Sequence, residues 1–344
     1  MIAITICATK SYTYAMRAQA RRVVANITAA HIAHWHGTII LVGDESRELK
    51  DVADVYKNIL PEGWNVMRIA NKALSESDGP NYKEKAQLLI AAMRGEAFAA
   101  CRKLGVQRVW SLDSDVLPPS NALRCMLNTL EFDGGLWSVA TCPYPNSAFL
   151  GGFGTPQNPI AEDFLPHERK LPWKLKRAHE ACEKRLKAAK GASEKEQKRM
   201  GRLMERVKKC PPDGNIWEVI AKHGWRRRGW LDNAYPGIGR GAVLPSDWCG
   251  FGCTLMNAEA LALADFEGYD GKGTEDLYVC WRRWHPARLE INVITHCPCD
   301  HVIWEKKKGG EAGKYVHHVT YHETDGEYRG HLRVRQLPWA PETI

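Results

Sequence analysis

Long apolar runs are missing from this 344-residue chain, and no stretch approaches the roughly 18 consecutive apolar residues that a membrane-spanning helix requires. The start, Met1-Ile2-Ala3-Ile4-Thr5-Ile6-Cys7, lacks both the basic lead and the long apolar core of a secretion signal. It reads instead as a buried first strand, and a cytoplasmic location is the expectation. Internal repeats are absent. Also missing is the two-residue cysteine spacing of zinc knuckles, because Cys249 and Cys253 stand four apart and Cys297 and Cys299 two apart. The eleven cysteines are scattered, and their odd number leaves at least one unpaired, so reduced and mostly buried thiols are expected. The rival arrangement is a structural zinc ion on Cys249, Cys253, Cys297 and Cys299, flanked by His296 and His301.

Present in ordinary amounts are hydrophobic residues, 44%, and charged residues, 26%, the balance of a globular protein with room for one large α/β domain or two medium ones. The net charge of +8 is unevenly spread. Between Arg169 and Lys209 stand 16 lysines and arginines against 5 glutamates, a local excess of +11 that leaves the remainder at −3. So concentrated a charge points to a polyanionic partner.

Along the first half, short apolar runs alternate with helical patterns, which predicts βαβ units and a mainly parallel sheet. Strands are expected at Ile2–Cys7, Thr38–Val42, Trp64–Ile69, Arg108–Leu112 and Leu136–Ala140, with helices at Met16–Ala30 and Lys83–Leu104. In the second helix Leu88, Leu89, Ala92, Met93 and Phe98 form the apolar stripe. Residues 144–159, rich in Gly and Pro, read as an irregular loop, and 168–209 as two charged helices broken near Gly191-Ala192-Ser193. Arg226-Arg227-Arg228, between Trp225 and Trp230, reads as a turn. The regular pattern resumes with a strand over Trp248–Met256, a helix over Ala258–Leu263, a helix over Leu277–Trp284 opened by Thr274-Glu275-Asp276, and a strand over Ile291–Thr295. The last forty residues show no dependable periodicity.

Chemistry concentrates where the fourth strand runs into Asp113-Ser114-Asp115. Ligands of open α/β sheets bind beyond the carboxyl ends of the strands. Two carboxylates two apart at such an end can hold a hard divalent cation, which bridges diphosphate oxygens and neutralises a departing nucleotide. As a plain solvated turn the triplet would carry no function. Its setting, after an apolar strand and before Val116-Leu117-Pro118-Pro119, favours the chemical reading.

On these residues the sequence resembles the GT-A fold glycosyltransferases, particularly the large inverting family 2, over about residues 1–135 and 245–305. The resemblance implies an α/β, Rossmann-like, mainly parallel sheet flanked by helices, interrupted by a basic helical insertion. Residues 1–160 would be the nucleotide-sugar half, 161–245 the basic arm, 246–305 the acceptor and catalytic half, and 306–344 a C-terminal extension. It implies that Thr9, Asp44 and Asp113 contact the nucleotide-sugar, a UDP-sugar being favoured, and that Lys83 or Lys85 near Asn81 meets phosphate. Asp113, Asp115 and His301 would hold Mn2+ or Mg2+, with His296 the fallback ligand. Asp276 would be the base that deprotonates the acceptor hydroxyl, which implies inversion, and Glu275 would orient the acceptor or the helix end. If Glu275 and Asp276 serve no catalysis, they simply offset the helix dipole.

The acceptor is indicated only by the basic residues and their aromatic neighbours. Trp173, Lys174, Lys176, Arg177, Trp225, Arg226, Arg227, Arg228, Trp230 and Trp248 combine charge for a phosphate backbone with rings that stack on bases or sugars. Bacteriophages encode compact glycosyltransferases that decorate hydroxymethylated pyrimidines in DNA, and the chain resembles that kind of enzyme. The expected acceptor is therefore such a base, flipped out for access, with host cytoplasm as the location. Cell-surface glycan, lipid and protein acceptors are the alternatives, as is a nucleic-acid-binding protein or metal nuclease with no glycosyl transfer.

Overall fold

The first strands show no in-and-out alternation because both of their faces are covered. In the computed structural model, β1 (Ile2–Ala8) and β2 (Gly37–Gly43) are buried along almost their whole length, as parallel strands sandwiched between helices must be. The structure describes residues 1–71, 84–131, 138–144, 163–165, 226–228, 243–246, 248–271, 274–294, 296–306, 312–324 and 327–338. Strands β3 (Trp64–Ala70), β4 (Arg108–Asp113), β6 (Val139–Thr141), β9 (Val243–Ser246), β10 (Cys253–Asn257) and β11 (Ile291–Ile294) complete an eight-stranded sheet of order β3-β2-β1-β4-β10-β6-β11-β9. Six strands run one way, and only β10 and β9 oppose their neighbours. The α/β class with a mainly parallel, helix-flanked sheet is therefore what the chain folds into.

Helix α1 (Met16–Ala29) packs on α2 (Arg47–Ile59) and α4 (Ala122–Glu131), while α3 (Glu84–Lys103) packs on α5 (Ala258–Leu263) and α6 (Glu275–Val279). Ser46 caps α2, its hydroxyl accepting from the Leu49 amide at 3.3 Å. This helix was not anticipated, because polar Glu48, Lys50, Asp51 and Asp54 crowd its sequence; Leu49, Val52, Ala53 and Tyr56 nevertheless form a buried face. In α3 the stripe is rotated from the expected one. Ala91, Met93, Arg94, Ala97, Phe98 and Cys101 are buried, whereas Leu88 is exposed.

The second strand of the later half is shorter than expected. Cys253–Asn257 is strand, whereas Trp248–Gly252 approaches it as an irregular buried segment. Beyond α6 the helix continues as a π-helical turn over Cys280–Trp284, and the Trp284 indole donates to the Ala260 carbonyl at 2.9 Å, fastening this turn to α5. A second sheet, of order β14-β13-β12-β5, joins β5 (Val116–Leu117) to β12 (Asp300–Lys306), β13 (Ala312–Thr324) and β14 (Glu327–Pro338). The C-terminal forty residues thus contribute two long antiparallel strands.

Two compact units separate, residues 1–163 with 229–344, and residues 164–228. The second unit spans the +11 segment. The two charged helices expected over 168–209, their break at 191–193 and most of the loop expected over 144–159 lie outside the described residues. Arg226–Arg228, expected as a turn, is strand β8, paired with β7 (Asp163–Leu165) in a two-stranded sheet.

Candidate active site

The sheet's register sets the site. Ala8 is level with Gly43, and Cys7 with Asp113, so Thr9, Asp44 and Asp115 all come just beyond one edge. Buried polar residues of α1 tie the Asp113–Asp115 turn down. The Gln19 side-chain amide donates to the carbonyls of Asp113 and Val116, the latter at 2.8 Å. One face further along, Asn26 donates to Pro119 O at 2.8 Å and accepts from the Leu123 amide at 2.9 Å. Gln19 and Asn26 are seven apart, two helical turns, and are fully buried; the hydrogen bonds of Asn26 and of the Gln19 Nε2 group offset part of the cost of burying them.

At the centre lies Arg94, 5% exposed. Its guanidinium pairs with Asp113 Oδ1, donates to Ser111 Oγ at 3.2 Å, lies 3.0 Å from Glu275 Oε1 and stacks 5.3 Å over the Phe251 ring. Burial works against its charge, but Asp113 and Glu275 more than offset that, so its pKa rises and the guanidinium stays protonated. Glu275 is itself buried, and desolvation outweighs the pull of Arg94, pushing its pKa up to about 8, with Asp276 adding to the rise. The Asp276 carboxyl pKa is raised by burial, against the pull of Arg94 and a hydrogen bond from the Leu277 amide at 2.7 Å.

Tyr144 closes the cluster. Its hydroxyl donates to Asp113 Oδ2 at 3.4 Å and accepts from the Gly252 amide at 3.1 Å. Burial raises its pKa, and the negative charges of Asp113, Asp276 and Asp115 raise it further, against the opposing pull of Arg94. Only glycine suits position 252: a Cβ there would stand 2.1 Å from the Tyr144 oxygen and 2.7 Å from Asp113 Oδ2. The Gly252 carbonyl also accepts from the Asp113 amide at 3.0 Å, so close approach of the two backbones places both groups.

Asp115 leads into the second sheet, immediately before β5. Its carbonyl accepts from the Val302 amide at 2.8 Å, and pairing of β5 with β12 sets His301 opposite Val116. His301 Nε2 then lies 3.3 Å from Asp115 Oδ2, and the His301 ring meets Tyr144 edge-on at 5.7 Å. Both side chains are largely buried, so Asp115 and His301 form a ready carboxylate–imidazole pair. Asp113 stands apart from that pair: Arg94 holds one of its oxygens, and no group of three ligand atoms within 4.8 Å of one another forms from Asp113, Asp115 and His301.

Of the other expected residues, Thr9 takes the N-cap position of a 3₁₀ turn over Lys10–Ala15 in extended backbone, without a side-chain capping bond. Asp44 is buried and accepts from the Ser46 amide at 3.2 Å, helping to start α2. Trp248 is buried at 5% exposure, a core position. Asn81, Lys83, Trp173, Lys174, Lys176, Arg177, Trp225 and Trp230 lie outside the described residues, as do the side chains of Lys85 and Arg226–Arg228.

Arg94, Tyr144, Gln19 and Ser111 were not anticipated. A signal for Arg94 exists: it falls three or four residues from Ala91, Ala97 and Phe98, on the buried stripe of α3, where a charge demands partners. Tyr144 has no comparable signal, since its partners come from β4 and from the approach to β10.

No family model matches the chain, and no curated protein matches it in sequence. Among solved structures, A197 from STIV superposes with a TM-score of 0.37 at 10% identity over 90% of this chain and 92% of that one. CMP:2-keto-3-deoxy-manno-octonic acid synthetase complexed with CTP gives 0.35 at 10% identity, covering 85% and 88%. Glucosyl-3-phosphoglycerate synthase from Mycobacterium tuberculosis, in complex with Mn2+, UDP-glucose and phosphoglyceric acid, gives 0.26 at 16% identity, covering 43% and 44%. Superpositions this loose assign no residue and no activity.

Proposed function

We propose that the chain is a glycosyltransferase that moves a sugar from a nucleotide-sugar, a UDP-sugar by preference, to an acceptor hydroxyl with inversion. The observation that carries this reading is the acidic arrangement at the carboxyl edge of a mainly parallel sheet, where Asp113 meets Tyr144 and Arg94, Glu275 meets the same Arg94, and Asp115 faces His301. Asp276 is the base. One of its oxygens is occupied by the Leu277 amide, and the other takes the acceptor's proton as that hydroxyl oxygen bonds to the sugar's anomeric carbon. The bond to the nucleoside diphosphate breaks in the same step, and its electron pair leaves with the phosphate. Burial, by raising the Asp276 pKa, makes it a stronger base than a surface carboxylate.

Arg94 positions this machinery by holding Asp113 and Glu275. Asp115 and His301, an oxygen and an imidazole nitrogen 3.3 Å apart, suit the adjacent ligands of a hard divalent ion. Mn2+ or Mg2+ bound there would supply positive charge beside the leaving diphosphate. Thr9, Asp44 and Asp113 are assigned to the donor by their place on the same strand edge, with Lys83 or Lys85 toward phosphate.

For the acceptor we favour a hydroxymethylated pyrimidine in DNA, because the +11 segment coincides with a compact unit of its own and suits a phosphate backbone. The test incubates the full chain with Mn2+, UDP- and GDP-sugars, and either hydroxymethylpyrimidine DNA or plain DNA, then weighs the digested nucleosides. A hexose mass gain on the modified base alone is expected. No gain on any base overturns the DNA acceptor. If DNA alone raises the melting temperature, and nucleotide-sugar with Mn2+ does not, the transferase reading itself falls in favour of a nucleic-acid-binding protein.

A further inference from the structure

Away from the carboxylates, on the α4 side of the sheet, cysteine and histidine side chains gather in a way no spacing revealed. The four cysteines Cys249, Cys253, Cys297 and Cys299 do not converge. Cys280 Sγ points to the Cys249 carbonyl at 3.6 Å, whereas Cys253 joins Cys142 and Cys299 in a fully buried group. Cys297 instead joins Cys125 of α4 and His296, and the ligand atoms of these three lie within 4.8 Å of one another.

We infer that Cys125, His296 and Cys297 bind a zinc ion that fastens α4 to the segment between β11 and β12. Three observations support it. First, Zn–S bonds of about 2.3 Å and Zn–N bonds of about 2.0 Å separate tetrahedral ligand atoms by roughly 3.4–3.8 Å, so the side chains are already close to ligand spacing. Second, two thiolates and one neutral imidazole balance a divalent ion, giving an uncharged first shell. The Cys142, Cys253 and Cys299 group would instead leave an unbalanced negative charge in the core. Third, Cys125 and His296 are half-buried while Cys297 is buried, so the ion has a route in and a water can take the fourth position.

The backbone is prepared for the clip. The Cys297 amide bonds Ile294 O at 3.3 Å at the end of β11, and the Cys299 amide bonds Pro143 O at 2.8 Å beside β6. Two residues later His301 meets Asp115. Zinc therefore anchors the segment that delivers His301, without touching the carboxylate cluster. Its presence does not depend on the activity proposed above.

The experiment uses the full chain, purified under reductant and loaded with one equivalent of zinc, and reads the metal's surroundings by X-ray absorption. One zinc per chain with two sulfurs, one imidazole and one light oxygen is expected. No zinc retained by the folded chain overturns the site, as does a shell without sulfur, which would place the ion at Asp115 and His301. A shell of three or more sulfurs overturns it in favour of the buried trio. Cys125→Ser and the half-buried His296→Gln are each expected to lose the zinc. Chelation should lower the melting temperature of the unsubstituted chain but not that of either variant.

Discussion

Two polar clusters sit on opposite faces of one sheet and obey different chemistry. Around Arg94 the groups are hard carboxyl oxygens, partly exposed at Asp113 and buried at Glu275, both drawn to one guanidinium. Around Cys125 they are thiols and an imidazole, which favour a softer ion. The first faces the strand edge where substrates of α/β sheets bind; the second lies against α4 and joins elements. Were both to hold cations, their different donors would let each select its own metal.

The sharpest way to break this comparison is to remove the proposed base. Asp276→Asn should cost roughly 10²–10⁴ in kcat while nucleotide-sugar binding, read by calorimetry, and melting temperature stay near those of the parent. Unchanged turnover would reduce Asp276 to a helix-capping acid. Next in size is Arg94→Met, which leaves Asp113 without its cation and Glu275 without its guanidinium neighbour. Breaking a buried pair in this way costs about 3–5 kcal/mol, to be measured by urea unfolding; a loss under about 1 kcal/mol, the range of surface pairs, would show that the cluster is well solvated.

A smaller loss is expected from Gly252→Ala, about 1–3 kcal/mol as overpacking, because the new methyl must displace the Tyr144 hydroxyl. Turnover should fall with it as Asp113 shifts. The finest probe is pH. With the Glu275 pKa at about 8 in the fold, against an ordinary value of 4.5, the folded chain holds a proton that the unfolded chain releases. Stability from this group is fully present below pH 4.5 and declines as pH rises toward about 8. Glu275→Gln should flatten that decline in a series of thermal melts, and a slope identical to the parent's would show that Glu275 is ionised throughout.

Much of the architecture was legible from local pattern. The apolar runs of β1, β2 and β4 and the start of α6 at Glu275-Asp276 read correctly because strand and helix periodicity are properties of neighbouring residues. Helix α2 escaped because its buried face is only Leu49, Val52, Ala53 and Tyr56 among many charges. The two C-terminal strands escaped because their pairing partners, not their own pattern, hold them.

The site divides the same way. Sequence alone determined that Asp113 ends a buried strand with Asp115 in the turn beyond it, and that Glu275 and Asp276 open a helix, since each is a statement about a few adjacent residues. Only the tertiary structure decided that Arg94 binds Asp113 and Glu275, that Asp115 faces His301, and that Cys125 meets His296 and Cys297. Those contacts join residues far apart along the chain, and their geometry depends on sheet register and helix packing, which no short window of sequence contains.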